Sequence, residues 1–208
     1  MTPKHAAFLA AVLIVSAGCS SRASGPSRAE TENEIAMRTL IERMASANAD
    51  DVADLFFPEA VYDDFANQQQ YRGLQEIAGY IEGGSRWATG VSMDIIDLHV
   101  SDSVAVAEWV FTGIQDKPIG STLPVATGRE VVLNGVTIIE TEGGRIKRAA
   151  DYTDGLTMAL QLGGEVHMPG GGVLKLDLPA ARGEEAPPEA GADTLIGTDT
   201  LPLLQEPR

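Results

Sequence analysis

Aromatics, histidine, cysteine and positive charge are all scarce in this sequence, and each shortage removes a class of function. Only 5% of the 208 residues are Phe, Trp or Tyr, so the 44% apolar fraction rests on Val, Ile, Leu and Ala. That is enough for one core of ordinary size. The single cysteine, Cys19, rules out an internal disulfide. Beyond the first few residues the only histidines are His99 and His167, far apart and without a ligand-spaced cluster, so no metal site is expected. Lys and Arg number 15 against 30 Asp and Glu, a net charge of −15. Such a surface repels phosphates and anionic lipid headgroups, and nucleic acid drops out as a partner. The sequence also lacks a Gly-x-Ser-x-Gly elbow, a Walker loop and a dinucleotide fingerprint.

What is present begins with Lys4 and the apolar run Ala6 to Ala17, which reads as a secretory signal over residues 1–18. The run is too short for a permanent membrane helix. Ser16-Ala17-Gly18-Cys19 resembles the lipobox of bacterial lipoproteins, in which the Cys is lipidated, with Ser16 where Leu is usual. That resemblance implies lipidation at Cys19 and a cell-envelope protein tethered to a membrane. Residues 19–29 are a Ser-rich tether. At the other end, residues 165–208 hold a Pro-Gly-Gly-Gly break, one short strand at Val173 to Leu178, and a Pro-, Ala- and acid-rich tail that reads as disordered.

Between them lies one domain, residues 30–164. Thr31 and Glu34 form a capping box for a first helix carrying Met37, Leu40, Ile41 and Met44 on one stripe. A short second helix over Val52 to Phe56 ends at Pro58. Ala60 to Phe65 is a strand with Tyr62 and Asp64 on one face. A third helix follows Gly73, with Leu74, Ile77, Ala78 and Ile81 together. Met93 to Val100 and Val104 to Thr112 form a hairpin around Ser101-Asp102-Ser103. Both faces of its second strand are apolar, so one is expected under helices and the other against a partner subunit. Gly113 to Thr127 is a loop long enough to be functional. Val131 to Glu140 and Ile146 to Thr153 are strands joined by a turn at Glu142-Gly143-Gly144.

The last hairpin and the helix after it, GREVVLNGVTIIETEGGRIKRAADYTDGLTMALQLG, carry a family resemblance. Gly144-Arg145-Ile146, Asp151-Tyr152-Thr153-Asp154 and Gln161-Leu162-Gly163 resemble the C-terminal half of SnoaL-like polyketide cyclases, in the nuclear transport factor 2-like superfamily. Ala150 and Thr153 stand where that pattern has aromatics. The order of elements fits as well. The resemblance implies an α+β fold: a cone-like, curved, mostly antiparallel sheet packed around three N-terminal helices.

The resemblance also implies a chemistry without cofactor or metal. An Asp in an apolar pocket has a raised pKa and can move a proton beside a carbonyl. Asp151 is the first candidate for this general acid/base, with Asp64 and Asp154 after it. Asp151 and Asp154 have opposite parity on a regular strand, and Asp154 also suits an N-cap. In ketosteroid isomerases, an ungapped match of LFFPEAVYDD puts Asp64 on the catalytic base. Their helical oxyanion Tyr has no counterpart in Leu40 to Ala47, which leaves Tyr62 for that role. In limonene-epoxide hydrolases the strand matching Ala107 to Thr112 carries an Arg and an Asp. Trp109 and Phe111 occupy those places here, so that triad is not expected. The expected ligand-binding residues are Tyr62, Trp87, Trp109, Phe111, Asn134 and Tyr152, and the ligand a small apolar carbonyl compound. Three readings stay open: a SnoaL-like enzyme, a lipoprotein that only binds an apolar ligand, and a module that pairs through its sheet.

Overall fold

A computed structural model of the chain describes residues 25–177. Cys19, the signal segment, most of the tether and the distal tail lie outside the described residues. Helix α1 (Arg28–Ser46) is followed by α2 (Val52–Leu55), strands β1 (Phe56–Asp64) and β2 (Gln69–Arg72), and α3 (Gly73–Gly84). Then come β3 (Ala88–Val100), β4 (Val104–Gln115), β5 (Glu130–Glu142), β6 (Arg145–Thr153) and α4 (Gly155–Gln161). A small hairpin, β7 (Val166–His167) with β8 (Val173–Leu174), follows. No described helix is long and apolar enough to cross a membrane.

Strands β1 to β6 form one sheet in the order β2-β1-β6-β5-β4-β3. All neighbours are antiparallel except β1 and β6, which run parallel. The expected α+β architecture is therefore present. Alternation decides what each strand buries: on β4, Ala105, Ala107, Trp109 and Phe111 face the helices, and on β5, Val131, Leu133, Thr137 and Ile139 do. Opposite them α1 buries Met37, Leu40, Ile41 and Met44, and α3 buries Ile77 and Ile81. Each such side chain contributes about 1.5–3 kcal/mol through burial. The outward face of β4 and β5 also keeps Val106, Val110, Val136 and Ile138, all half-buried.

Several boundaries differ from the sequence expectation. The capping box of α1 is Ser27 with Glu30, four residues before Thr31. Thr31 instead donates to the Ser27 carbonyl, and Glu34 pairs with Arg38 one turn on. Both segments fit the Ser/Thr-x-x-Glu pattern, and the earlier one wins because the helix continues unbroken through the later. Pro58 does not end α2, which stops at Leu55. It lies within β1, where pairing with β6 is irregular between Phe56 and Val61, so its missing N–H breaks no ladder bond. β4 runs on to Gln115 rather than stopping at Thr112. The buried Gln115 amide holds the following loop by donating to the carbonyls of Lys117 and Val125. Gly143 and Gly144 turn the β5–β6 hairpin with φ of 57° and 75°, a conformation that excludes most side chains.

Candidate active site

The site is built where the one parallel strand pair of the sheet borders the cavity. Parallel register sets Asp64 of β1 directly beside Asp151 of β6, and antiparallel register sets Thr137 of β5 on the other side of Asp151. Adjacent strands lie about 4.8 Å apart, so these three polar side chains form one row on the inner face of the sheet. Asp64 is 4% exposed and Asp151 2%. Both reach a cavity of about 1080 Å³ between the sheet, α3 and α4. Its wall includes Tyr71, Tyr80, Trp87, Met93, Trp109, Phe111, Leu133 and Met158. Gly79 and Gly83, one turn apart on α3, also face it and widen it by having no side chain.

Asp151 is held by three hydroxyls. Thr137 donates to Oδ1 at 2.6 Å, while Tyr62 and Tyr80 donate to Oδ2 at 2.7 and 3.1 Å. Thr137 in turn accepts the Trp109 Nε1–H at 2.9 Å. Because the indole can only donate, Thr137 must turn its own proton toward Asp151. Burial pushes the Asp151 carboxyl up to about 6, with the charge of Asp64 adding to the rise; the three hydroxyl bonds pull the other way and are outweighed. The Tyr62 and Tyr80 phenols are raised by the same burial and by the neighbouring Asp151, so both stay protonated donors. Among the described residues Asp64 is bonded by Asn67, through its backbone N–H at 3.1 Å and its side-chain amide at 2.7 Å. Among the described residues no group of three His, Cys, Asp or Glu side chains could hold a metal ion.

Of the residues singled out in the sequence, Asp64, Asp151, Trp87, Trp109 and Phe111 line the cavity. Four expected residues are elsewhere. Asp154 is exposed, caps α4 by accepting from Thr157, and has its pKa lowered by those bonds. Strand parity had already set it against Asp151. Asn134 is exposed on the outward face of β5, since its inward neighbours are Leu133 and Gly135. Tyr152 is 46% exposed and stacks on Phe65 on the outward side, with ring centroids 4.6 Å apart. Tyr62 is fully buried behind Asp151 rather than on the wall, so it orients the carboxylate and has no free path to a ligand.

Thr137, Tyr80, Asn67 and Gly135 were missed. Period-two alternation on β5 places Thr137 inward, and Tyr80 shares a helical stripe with Ile77 and Ile81, so both carried a signal. Asn67 sits in the turn between β1 and β2, where its residue type alone gives no sign of a role at the site. Gly135 had no local signal, because its role depends on the strand beside it. It pairs directly with Trp109, whose ring lies flat across it to reach Thr137. A Cβ at Gly135 would stand 2.2 Å from the indole Cη2. Gly135→Ala is therefore expected to displace Trp109 and cost roughly 1–3 kcal/mol, the usual range for overpacking. Denaturant unfolding would show it, and an unchanged midpoint would mean that the ring moves freely.

The chain matches the model of the SnoaL-like domain over residues 37–149. Among solved structures it is similar to a protein assigned as a SnoaL-like polyketide cyclase from Jannaschia Sp. CCS1. That pair shares 19% identity at a TM-score of 0.60, covering 67% of this chain and 96% of the other. TsrD from Streptomyces laurentii aligns at 25% identity and a TM-score of 0.55, over 66% and 98% of the two chains. A protein assigned as an isomerase from Bacillus subtilis aligns at 21% and 0.54, over 66% and 97%. No curated protein matches the sequence.

Proposed function

The chain belongs to the SnoaL-like domain family, and we propose that its cavity takes a small, largely apolar carbonyl compound on which Asp151 acts as general acid/base. The observation that carries this reading is a buried carboxyl on the cavity wall whose pKa is pushed up to about 6, near the pH at which a base must work. Among the described residues Oδ2 already accepts from two tyrosines, whereas Oδ1 accepts from Thr137 alone and keeps a lone pair for the incoming proton. Ionised Asp151 takes a proton from the carbon beside the carbonyl, and the electron pair moves onto the carbonyl oxygen as an enolate. Once protonated, Asp151 needs fewer donors. Tyr80, the one tyrosine among its partners that lines the cavity, then turns its O–H to the enolate oxygen. Return of the proton at another carbon is an isomerisation. Attack of the enolate carbon on a second carbonyl of the same molecule is an aldol closure, and the new alkoxide oxygen then takes the proton held by Asp151.

Deuterium exchange at the α-carbon of α-tetralone in heavy water tests this directly. Exchange should be accelerated by the protein and should rise with pH through about 6, as Asp151 ionises. Tyr80→Phe should slow it roughly 10- to 100-fold, the lower part of what removal of an oxyanion donor costs. A rate indifferent to Tyr80→Phe would remove that residue as the donor. No acceleration with this or related ketones would leave ligand binding as the function.

We also propose that the mature chain begins at a lipidated Cys19 and stands at the cell envelope on its Ser-rich tether. Support comes from the small-residue run that ends at the only cysteine. The intact mass of the N-terminal peptide from the membrane fraction would show a diacylglyceryl cysteine. A bare Cys19, or a start elsewhere, contradicts it.

A further inference from the structure

Besides Asp64 and Asp151, the cavity wall carries Glu76, and among the described residues no Lys, Arg or His lines it. The two deep carboxylates sit side by side, and among the described residues the groups that bond them are neutral: three hydroxyls on Asp151, and an amide and a backbone N–H on Asp64. Buried charges in proteins are ordinarily paired with an opposite charge, and like charges side by side repel. The chain as a whole carries a net −15, so it has no surplus of positive charge to compensate the two carboxylates. Next to the acids stand aromatic faces. Tyr71 stacks on Tyr80 with centroids 4.6 Å apart, and Trp87 lies against Phe111 at 5.5 Å. Carboxylates together with aromatic faces are the two groups that hold a weakly hydrated organic cation, the first by charge and the second through the ring quadrupole. An anion would meet three acids, and a neutral ligand would leave the paired carboxylates without a counter-charge.

We infer that the compound bound here carries a cationic tertiary or quaternary amine, seated between the Asp64–Asp151 pair and the Tyr71, Tyr80 and Trp87 rings. This rests on the proposed use of the same cavity and names its ligand class more closely. The cation supplies the positive charge that the wall lacks, and the apolar remainder of the ligand lies along Met93, Leu133 and Met158. At about 1080 Å³ the cavity has room for both parts.

The test compares choline with its neutral isostere, in which a quaternary carbon replaces the nitrogen, followed by tryptophan fluorescence and indole N–H resonances. Choline is expected to bind at least about tenfold more tightly, a margin typical of a desolvated cation on aromatic faces. Added salt should weaken choline and leave the isostere unchanged. Glu76→Gln, at the exposed rim, should narrow the difference severalfold while the isostere binds as before. Equal affinities, a preference for the isostere, or no binding of either would overturn the inference. The proposed proton transfer stands or falls separately. If α-tetralone exchanges but choline has no advantage, only the cation is wrong. If choline is preferred but no ketone exchanges, the cation site stands without the chemistry.

Discussion

Asp151→Asn is expected to reduce α-proton exchange by roughly 100- to 10,000-fold, the range over which a positioned general base contributes. The amide keeps the shape of the carboxyl and its place among Thr137, Tyr62 and Tyr80, but has no lone pair basic enough to take a proton from carbon. Its single oxygen can still accept from both tyrosines at the Oδ2 position, so the cavity should keep its form and its affinity for a neutral ligand. KM should therefore move little while kcat falls, which is the signature of an interaction used in the transition state. Asp64→Asn supplies the contrast. Asp64 lies in register with Asp151 and is 4% exposed, but it has none of the hydroxyl partners. If Asp64→Asn were the more damaging change, the proton would belong to Asp64 and the isomerase-like assignment would replace the cyclase-like one.

The same substitution should change how stability depends on pH. The Asp151 carboxyl stands at about 6 in the folded protein against 3.8 for an ordinary Asp. The folded chain thus holds this proton more tightly than the unfolded one. Stability contributed at this position is complete below about 4 and is lost as pH rises to about 6, because burial then opposes the charge. At 1.36 kcal/mol per unit the loss amounts to about 3 kcal/mol. Asp151→Asn has no proton to lose, so its stability relative to the parent should climb by about that much between pH 4 and 7. In a domain of this size the change corresponds to roughly 6–12 °C in Tm. Any constant cost of the weaker amide acceptor drops out, since only the slope is read. A difference that stays flat with pH would mean that Asp151 titrates as an ordinary carboxylate.

Much of the fold was legible because period and punctuation agreed along the chain. The stripe of Met37, Leu40, Ile41 and Met44, the alternation through Trp109 and Phe111, and Gly143-Gly144 each had one reading, and the structure has it. The errors fell where two local rules competed. Ser27 and Thr31 both begin a Ser/Thr-x-x-Glu pattern, and a proline such as Pro58 both ends helices and is tolerated in bulged strands. The site was legible only in parts. Asp64 and Asp151 could be picked out one at a time, but 87 positions of chain separate them, and only the parallel pairing of β1 with β6 makes them neighbours. Parity could have excluded Asn134 and placed Thr137. The path from Trp109 across Gly135 to Thr137 could not be read, since it exists only once β4 and β5 are in register. The flanking positions where relatives of this pattern carry aromatics also gain a meaning. Ala150 is fully buried within the sheet and Thr153 lines the cavity, and the rings that surround Asp151 come instead from Tyr62 and from Tyr80 of α3.

The measurement closest to the central claim is a carboxyl-carbon NMR titration of Asp151, with Asp64 followed in the same spectra. It needs no knowledge of the substrate. The account predicts a midpoint near 6 for Asp151, lost in Asp151→Asn and displaced when Asp64 is changed to Asn, because the two side chains share one face of adjacent strands. An Asp151 midpoint near 3.8, unmoved by Asp64→Asn, would contradict it and leave a buried structural carboxylate in a cavity that only binds.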